Sequence, residues 1–124
     1  MNLPSYIVSR PPLTLDHATH AACDALLAEC LARPGRDLTE RLPARPWQFC
    51  CYLTDTHAVL IHKSKHAGIT AFTPRRSFDT NPFGDRSAVF AASDGIWPMF
   101  FALLDRERHR LSLLHGCFRV SAAD

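Results

Sequence analysis

The sequence predicts an α+β fold, a small antiparallel or mixed sheet packed against two main helices, and three observations predict it. A segment at about 15–32 repeats apolar residues at helical spacing. A second, at about 95–105, is apolar on nearly every side. Four short apolar or aromatic runs, at about 47–53, 57–63, 88–92 and 111–120, are bounded by turn residues and read as strands. The chain of 124 residues suits one domain, 1–124. With 47% hydrophobic and 21% charged residues its composition is that of a folded protein, not a disordered one.

Each element has a local reason. Residues 1–13 carry Pro4, Pro11 and Pro12 and read as an extended N-terminal arm. Thr14 or Asp16 caps the first helix. Leu15, Ala18, Ala22, Ala25, Leu26 and Glu29 then share one stripe, apolar except for Glu29, which is expected to be buried. Pro34 and Gly35 end the helix, and "DLTERL" (37–42) offers one more turn. "WQFCCYL" (47–53), "TDT" (54–56) and "HAVLIH" (57–62) read as two strands of a hairpin with a three-residue connection. Residues 63–87 show no period. Their second part, "TPRRSFDTNPFGDRS" (73–87), is a long turn-rich loop of the kind that is usually functional or mobile. "AVFAA" (88–92) reads as a buried strand. Ser93 or Asp94 caps the helix from Gly95 to Asp105, with Pro98 in its first turn. Ile96, Trp97, Phe100, Phe101, Leu103 and Leu104 predict that this helix is largely buried, and "RERHR" (106–110) is its solvated end. His115–Gly116 is a candidate tight turn within 111–120.

Charge and cysteine content narrow the function classes. Fourteen basic and twelve acidic residues leave a net charge of +2, too small a field to imply nucleic acid or an anionic membrane. A nucleic-acid face would rest on 63–76 alone, where aromatics are not interleaved at useful spacing. No run of about 20 apolar residues crosses a membrane, and "MNLPSYIVSRPPLTL" lacks the order of a signal peptide. Five cysteines without a CxxC pair read as reduced thiols in a cytoplasmic protein.

Metal and nucleophile chemistry find little support. His17, His20 and Cys23 fall at three-residue steps, which drift around a helix, so a polar helix face is expected and no metal site. His62 and His66 lie beside Lys63 and Lys65, which repel a cation. Ser64, His62 and Asp79 are the right types for a hydrolytic triad, yet no GxSxG elbow surrounds Ser64. Nothing near Cys50 or Cys51 predicts an activated thiol. No glycine-rich phosphate loop occurs.

One arrangement has more shape. "IHKS" (61–64) ends an apolar run on a histidine and a hydroxyl, and "VFAA" (89–92) precedes an apolar helix. Over residues 57–104 this resembles the ADP-ribosyltransferase fold of the poly(ADP-ribose) polymerase and diphtheria-toxin type. There, one strand carries His-Gly-Ser or His-Gly-Thr, and a later strand of the "iYFA" kind leads into a helix. The resemblance implies a split sheet with NAD+ in the cleft between its halves. It implies that His62 hydrogen-bonds a ribose hydroxyl, that the backbone of Lys63 holds the nicotinamide amide, and that Ser64 braces the strand or that amide. Phe90 stands where the family has a tyrosine, and a phenyl ring keeps the stacking face while losing the hydroxyl. Arg75 and Arg76 have the fork geometry that holds a pyrophosphate.

The chain departs from the family at two points. Lys63 occupies the glycine position. Breaking the ribose–nicotinamide bond builds positive charge on the ribose, which a carboxylate stabilises. The family's late-strand glutamate has no counterpart among Glu29, Glu40 and Glu107, and Asp124 is terminal. NAD+ binding with or without catalysis is therefore the first expectation. The second is a non-enzymatic protein-interaction module, with a protein partner or a second copy of itself, suggested by the apolar helix at 95–105 and the odd cysteine count.

Overall fold

The computed structural model describes residues 10–64, 68–77, 79–80, 82 and 84–103. Among these, three helices and a two-stranded antiparallel sheet make an α+β arrangement, with order α1 (His17–Ala32), α2 (Pro46–Thr56), β1 (Arg75–Arg76), β2 (Ser87–Ala88) and α3 (Trp97–Ala102). No described helix is long and apolar enough to cross a membrane.

Helix α1 starts where its cap sits. Asp16 Oδ1 accepts the Thr19 N–H at 2.7 Å, satisfying a donor that the first turn leaves without a helical partner. The helix ends at Ala32. The Arg33 N–H closes the last turn on the Glu29 carbonyl, and Gly35 follows at φ +84°, a backbone state that costs a glycine little. The buried face differs from the expected stripe. Ala18, Ala22 and Ala25 are exposed, whereas Cys23 and Leu26 are buried and Leu15, Leu27 and Cys30 are half-buried. The larger side chains decide, because burial energy scales with apolar area and alanine offers little.

The second main helix is α2, and this corrects the strand expected at 47–53. Pro46 occupies the first turn, where its missing N–H costs nothing, and Gln48 Oε1 accepts the Arg45 N–H at 3.3 Å. Phe49, Tyr52 and Leu53 follow at i, i+3 and i+4 and close over Cys23 and Leu26 of α1. These five side chains form the core cluster, with Leu13, Leu38, Leu42 and Val59 packed at its edge. The hairpin expected between 47–53 and 57–62 therefore does not form. Cys51, fully buried, lies off the core cluster on another side of α2. There Gly95 packs so closely that a Cβ on it would lie 2.6 Å from the Cys51 Cα.

The segment that opens α3 meets α2 at that contact. Asp94 Oδ1 accepts the N–H groups of Ile96 (2.9 Å) and Trp97 (2.7 Å), opening α3 with Pro98 buried in its first turn. The helix spans six residues, shorter than the 95–105 expected, and it is not largely buried: Trp97 and Phe100 stack on each other and are both about half exposed. Strand pairing is sparse. Arg75 faces Ala88 and Arg76 faces Ser87, and Ile61 makes a single antiparallel bridge to Ala92. The run 57–63 thus contributes one bridge, and 88–92 contributes the Ala88 end of β2 and the Ala92 bridge. β1 arises inside the segment expected to be loop. The run 111–120 lies outside the described residues, as do His66, Glu107 and Asp124.

Candidate functional site

The candidate site is built where three segments meet. The Ile61 N–H donates to the Ala92 carbonyl at 2.9 Å and the Ala92 N–H returns a bond to Ile61 at 3.0 Å. This reciprocal pair sets the register: one residue further, His62 lies across from the approach to Phe90. The His62 Nδ1 is 2.7 Å from the Phe90 carbonyl oxygen. A carbonyl only accepts, so Nδ1 carries the hydrogen and donates it. In neutral imidazole, Nε2 is then an acceptor. The Phe72 ring stands edge-on to the imidazole, with centroids 4.9 Å apart and planes at 70°. Phe72 and Phe90 are 61% and 44% exposed, so their ring faces are accessible. Lys63 is exposed and Ser64 half-buried at the end of the same segment.

Arg75 and Arg76 are neighbours in sequence but differ in environment. Arg76 holds Asp85 in a two-point pair, Nε to Oδ1 at 3.1 Å and Nη2 to Oδ2 at 2.7 Å, which closes the β1–β2 connection. The Ser77 hydroxyl, donating to the Gly84 carbonyl, braces the same turn. Successive strand residues point to opposite faces, so Arg75 takes the other side, that of its cross-strand partner Ala88.

The arrangement disfavours the hydrolytic triad. A triad aspartate must hold the histidine nitrogen opposite its nucleophile, and here the Phe90 carbonyl holds Nδ1. Asp79 instead lies against Gly84 in the β1–β2 connection. The cysteines are no better suited to nucleophilic chemistry. Burial pushes the thiols of Cys23, Cys50 and Cys51 up, and the carboxylates of Asp94 and Asp55 add to this at Cys51, against an opposing pull from Arg10. Cys23, Cys30, Cys50 and Cys51 are all free. Cys23 is buried while His17 is exposed, so the three-residue spacing does not gather ligands, and no group of described residues forms a metal-binding set.

A second polar cluster lies between the helices and is invisible while 47–53 is read as a strand. Asp24 Oδ1 accepts the Tyr52 hydroxyl at 2.8 Å and the His57 Nε2–H at 2.9 Å, and the His20 ring packs on Tyr52 at 4.8 Å. The Tyr52 hydrogen bond, then that of His57, holds the Asp24 carboxyl below the usual carboxylate range. The same bond pushes the Tyr52 phenol up. This cluster pins the Thr56 end of α2 to the middle of α1. Glu29 does similar work below it, accepting from Arg36 and from both terminal nitrogens of Arg41. That glutamate is committed to two arginines.

Of the residues singled out in the sequence, the structure thus brings together His62 and Phe90, with Lys63 and Ser64 following on the same segment and Arg75 on the strand paired with the lead-in to Phe90. Phe72 joins them without a signal in the sequence, since it lies in a segment with no period. No family model matches the chain, and the comparisons with curated proteins and with solved structures found no match.

Proposed function

We propose that the chain is an ADP-ribosyltransferase-like domain that binds NAD+. The observation that carries this is the 2.7 Å bond between His62 and the Phe90 backbone. Two residues 28 positions apart, which the resemblance in "IHKS" and "VFAA" casts as ribose contact and nicotinamide platform, meet at exposed positions. The bond also favours the tautomer such a role needs, because a ribose hydroxyl donates and Nε2 accepts. Phe90 offers a ring face for the nicotinamide, and Phe72 stands edge-on to the His62 imidazole. The Lys63 backbone would hold the carboxamide and Ser64 would brace it. Lys63, at the position where the family has glycine, is exposed. When bound, NAD+ supplies a glycosidic bond activated by its nicotinamidium leaving group. Glu29 is held by Arg36 and Arg41 and Glu40 lies in the turn before α2, so the proposal is of binding, with catalysis resting on a carboxylate from elsewhere. Free thiols at all four described cysteines suit a cytoplasmic setting.

Isothermal calorimetry with NAD+ tests this. Saturable binding is expected, weakened about 2- to 10-fold by His62→Ala, as for loss of one neutral hydrogen bond, and similarly by Phe90→Ala, as for loss of one stacking partner. No heat at millimolar NAD+ from a folded sample would overturn it. The second reading, self-association without chemistry, draws on the exposure of Leu60, Phe72 and Leu103. Light scattering that finds a strict monomer removes it.

A further inference from the structure

We infer that residues 10–15 form a strap on α2, latched by the Arg10–Asp55 ion pair, and that this strap gates the Cys51 thiol: latched, it closes Cys51 to small electrophiles, and released, it opens Cys51 to them. The strap is held at both ends. At one, the Arg10 guanidinium pairs with the Asp55 carboxylate in the last turn of α2. At the other, Leu13 and Leu15 are half-buried against the core cluster and Asp16 caps α1. Pro11 and Pro12 lie between. Each fixes its own φ and presses the residue before it into extended backbone. The spacer from Arg10 to Leu13 is therefore stiff and about 9 Å long. With Leu13 anchored in the core, opening the latch swings the Arg10 end alone.

The latch lies over Cys51 because of helical spacing. Asp55 follows Cys51 by four residues, so the two share a face of α2. Helical side chains lean toward the N-terminus, which carries the Asp55 carboxylate, with the guanidinium on it, back toward Cys51. Arg10 is within hydrogen-bond reach of the Cys51 sulfur and opposes the upward push that burial gives this thiol. Gly95 closes on the Cys51 backbone from the segment that opens α3. Cys51 has no exposed surface, yet the Arg10 and Asp55 side chains beside it are 33% and 37% exposed. An ion pair so solvated is a weak closure. Cys23 is equally inaccessible but sits in the core cluster between α1 and α2, where exposure requires the helices to part. Release of the strap makes Cys51 reachable and also removes burial, the larger influence on its thiol, so the thiolate forms more readily.

Iodoacetamide labelling of the full chain tests the gate, read by peptide mass spectrometry with fragment ions that separate Cys51 from Cys50. The samples are wild type, Arg10→Ala, Arg10→Lys, Asp55→Asn and the Arg10→Ala/Asp55→Asn double variant. Cys51 is expected to label about 1.5- to 5-fold faster in Arg10→Ala and in Asp55→Asn, the scale of an exposed ion pair. The double variant should be no faster than either single one, and Arg10→Lys should fall between wild type and Arg10→Ala. Added salt should speed Cys51 labelling in wild type and leave the double variant unmoved. Cys23 in the same samples should keep its wild-type rate. A Cys51 rate unchanged in both single variants would overturn the gate. So would Cys51 and Cys23 rising by the same factor, which marks a loss of overall stability.

Discussion

Replacing Gly95 by alanine tests the joint on which the site depends. The segment carrying Phe90 and Ala92 runs on to Gly95, which packs against the backbone of α2. A Cβ there would lie 2.5 Å from the Cys50 carbonyl carbon and 2.6 Å from the Cys51 Cα. Ordinary carbon–carbon contact is about 3.5–4.0 Å, so the backbones must separate by about 1 Å. The atoms met are backbone atoms inside α2, not the flexible end of a side chain, so local rotation does not relieve the clash. Overpacking of this kind costs about 1–3 kcal/mol. For a chain of this size that is a fall of roughly 3–12 °C in the thermal midpoint. Gly35→Ala is the control: a Cβ there meets nothing within 4 Å, and only the φ of +84° is penalised, about 1–2 kcal/mol. Circular dichroism melts of both variants, with a calorimetric NAD+ titration of each, read the difference. Gly95→Ala should lower the midpoint and weaken NAD+ binding together, whereas Gly35→Ala should lower the midpoint alone. A Gly95→Ala protein with wild-type melting and wild-type binding would refute the packing of 94–98 on α2.

The helical half makes its own predictions. Phe49 is buried among Cys23, Leu26, Tyr52 and Leu53, so Phe49→Ala should cost about 3–5 kcal/mol, a large share of a typical total of about 5–15; Leu31→Ala, at a residue 74% exposed, should change urea stability little. A Phe49→Ala protein with an unchanged urea midpoint would contradict the core assignment. Asp24 titrates lower folded than unfolded, because Tyr52 and His57 bind its charged form. Its contribution is therefore present above the unfolded carboxylate pKa of about 3.9 and is lost as the pH falls through the lower folded value. Melting midpoints should hold from neutral pH to about pH 5 and drop below about pH 4, with a shallower drop in Asp24→Asn; an equally steep acid limb in that variant would exclude the cluster as a contributor.

How far the sequence could be read depended on which force decided each element. The caps were legible because they are local: Asp16 opens α1, Asp94 opens α3, and Pro34–Gly35 closes α1 within a residue. The second helix was not. "WQFCCYL" is short and apolar nearly throughout, and such a run has no period that separates a strand from a buried helix. Pro46 fits a strand boundary and a helix first turn equally well, and the Phe49–Tyr52–Leu53 spacing gains its meaning only beside Cys23 and Leu26. The alanine stripe on α1 misled for a related reason: position on the helix was legible, but which face wins depends on the partner's shape. At the site, the sequence offered His62 and Phe90 through two short motifs. It could not show the difference between Arg75 and Arg76, which follows from a register set by two backbone pairs, nor the approach of Phe72.

The account stands on one surface, where the end of the 59–64 segment meets Phe90. Chemical-shift mapping on isotope-labelled protein titrated with NAD+ probes it most directly. The account predicts saturable shifts at the His62 imidazole and the Phe72 and Phe90 rings, with Cys23 and His57 between the helices unmoved. Shifts confined to α1 and α2, or none at saturating NAD+, would contradict it.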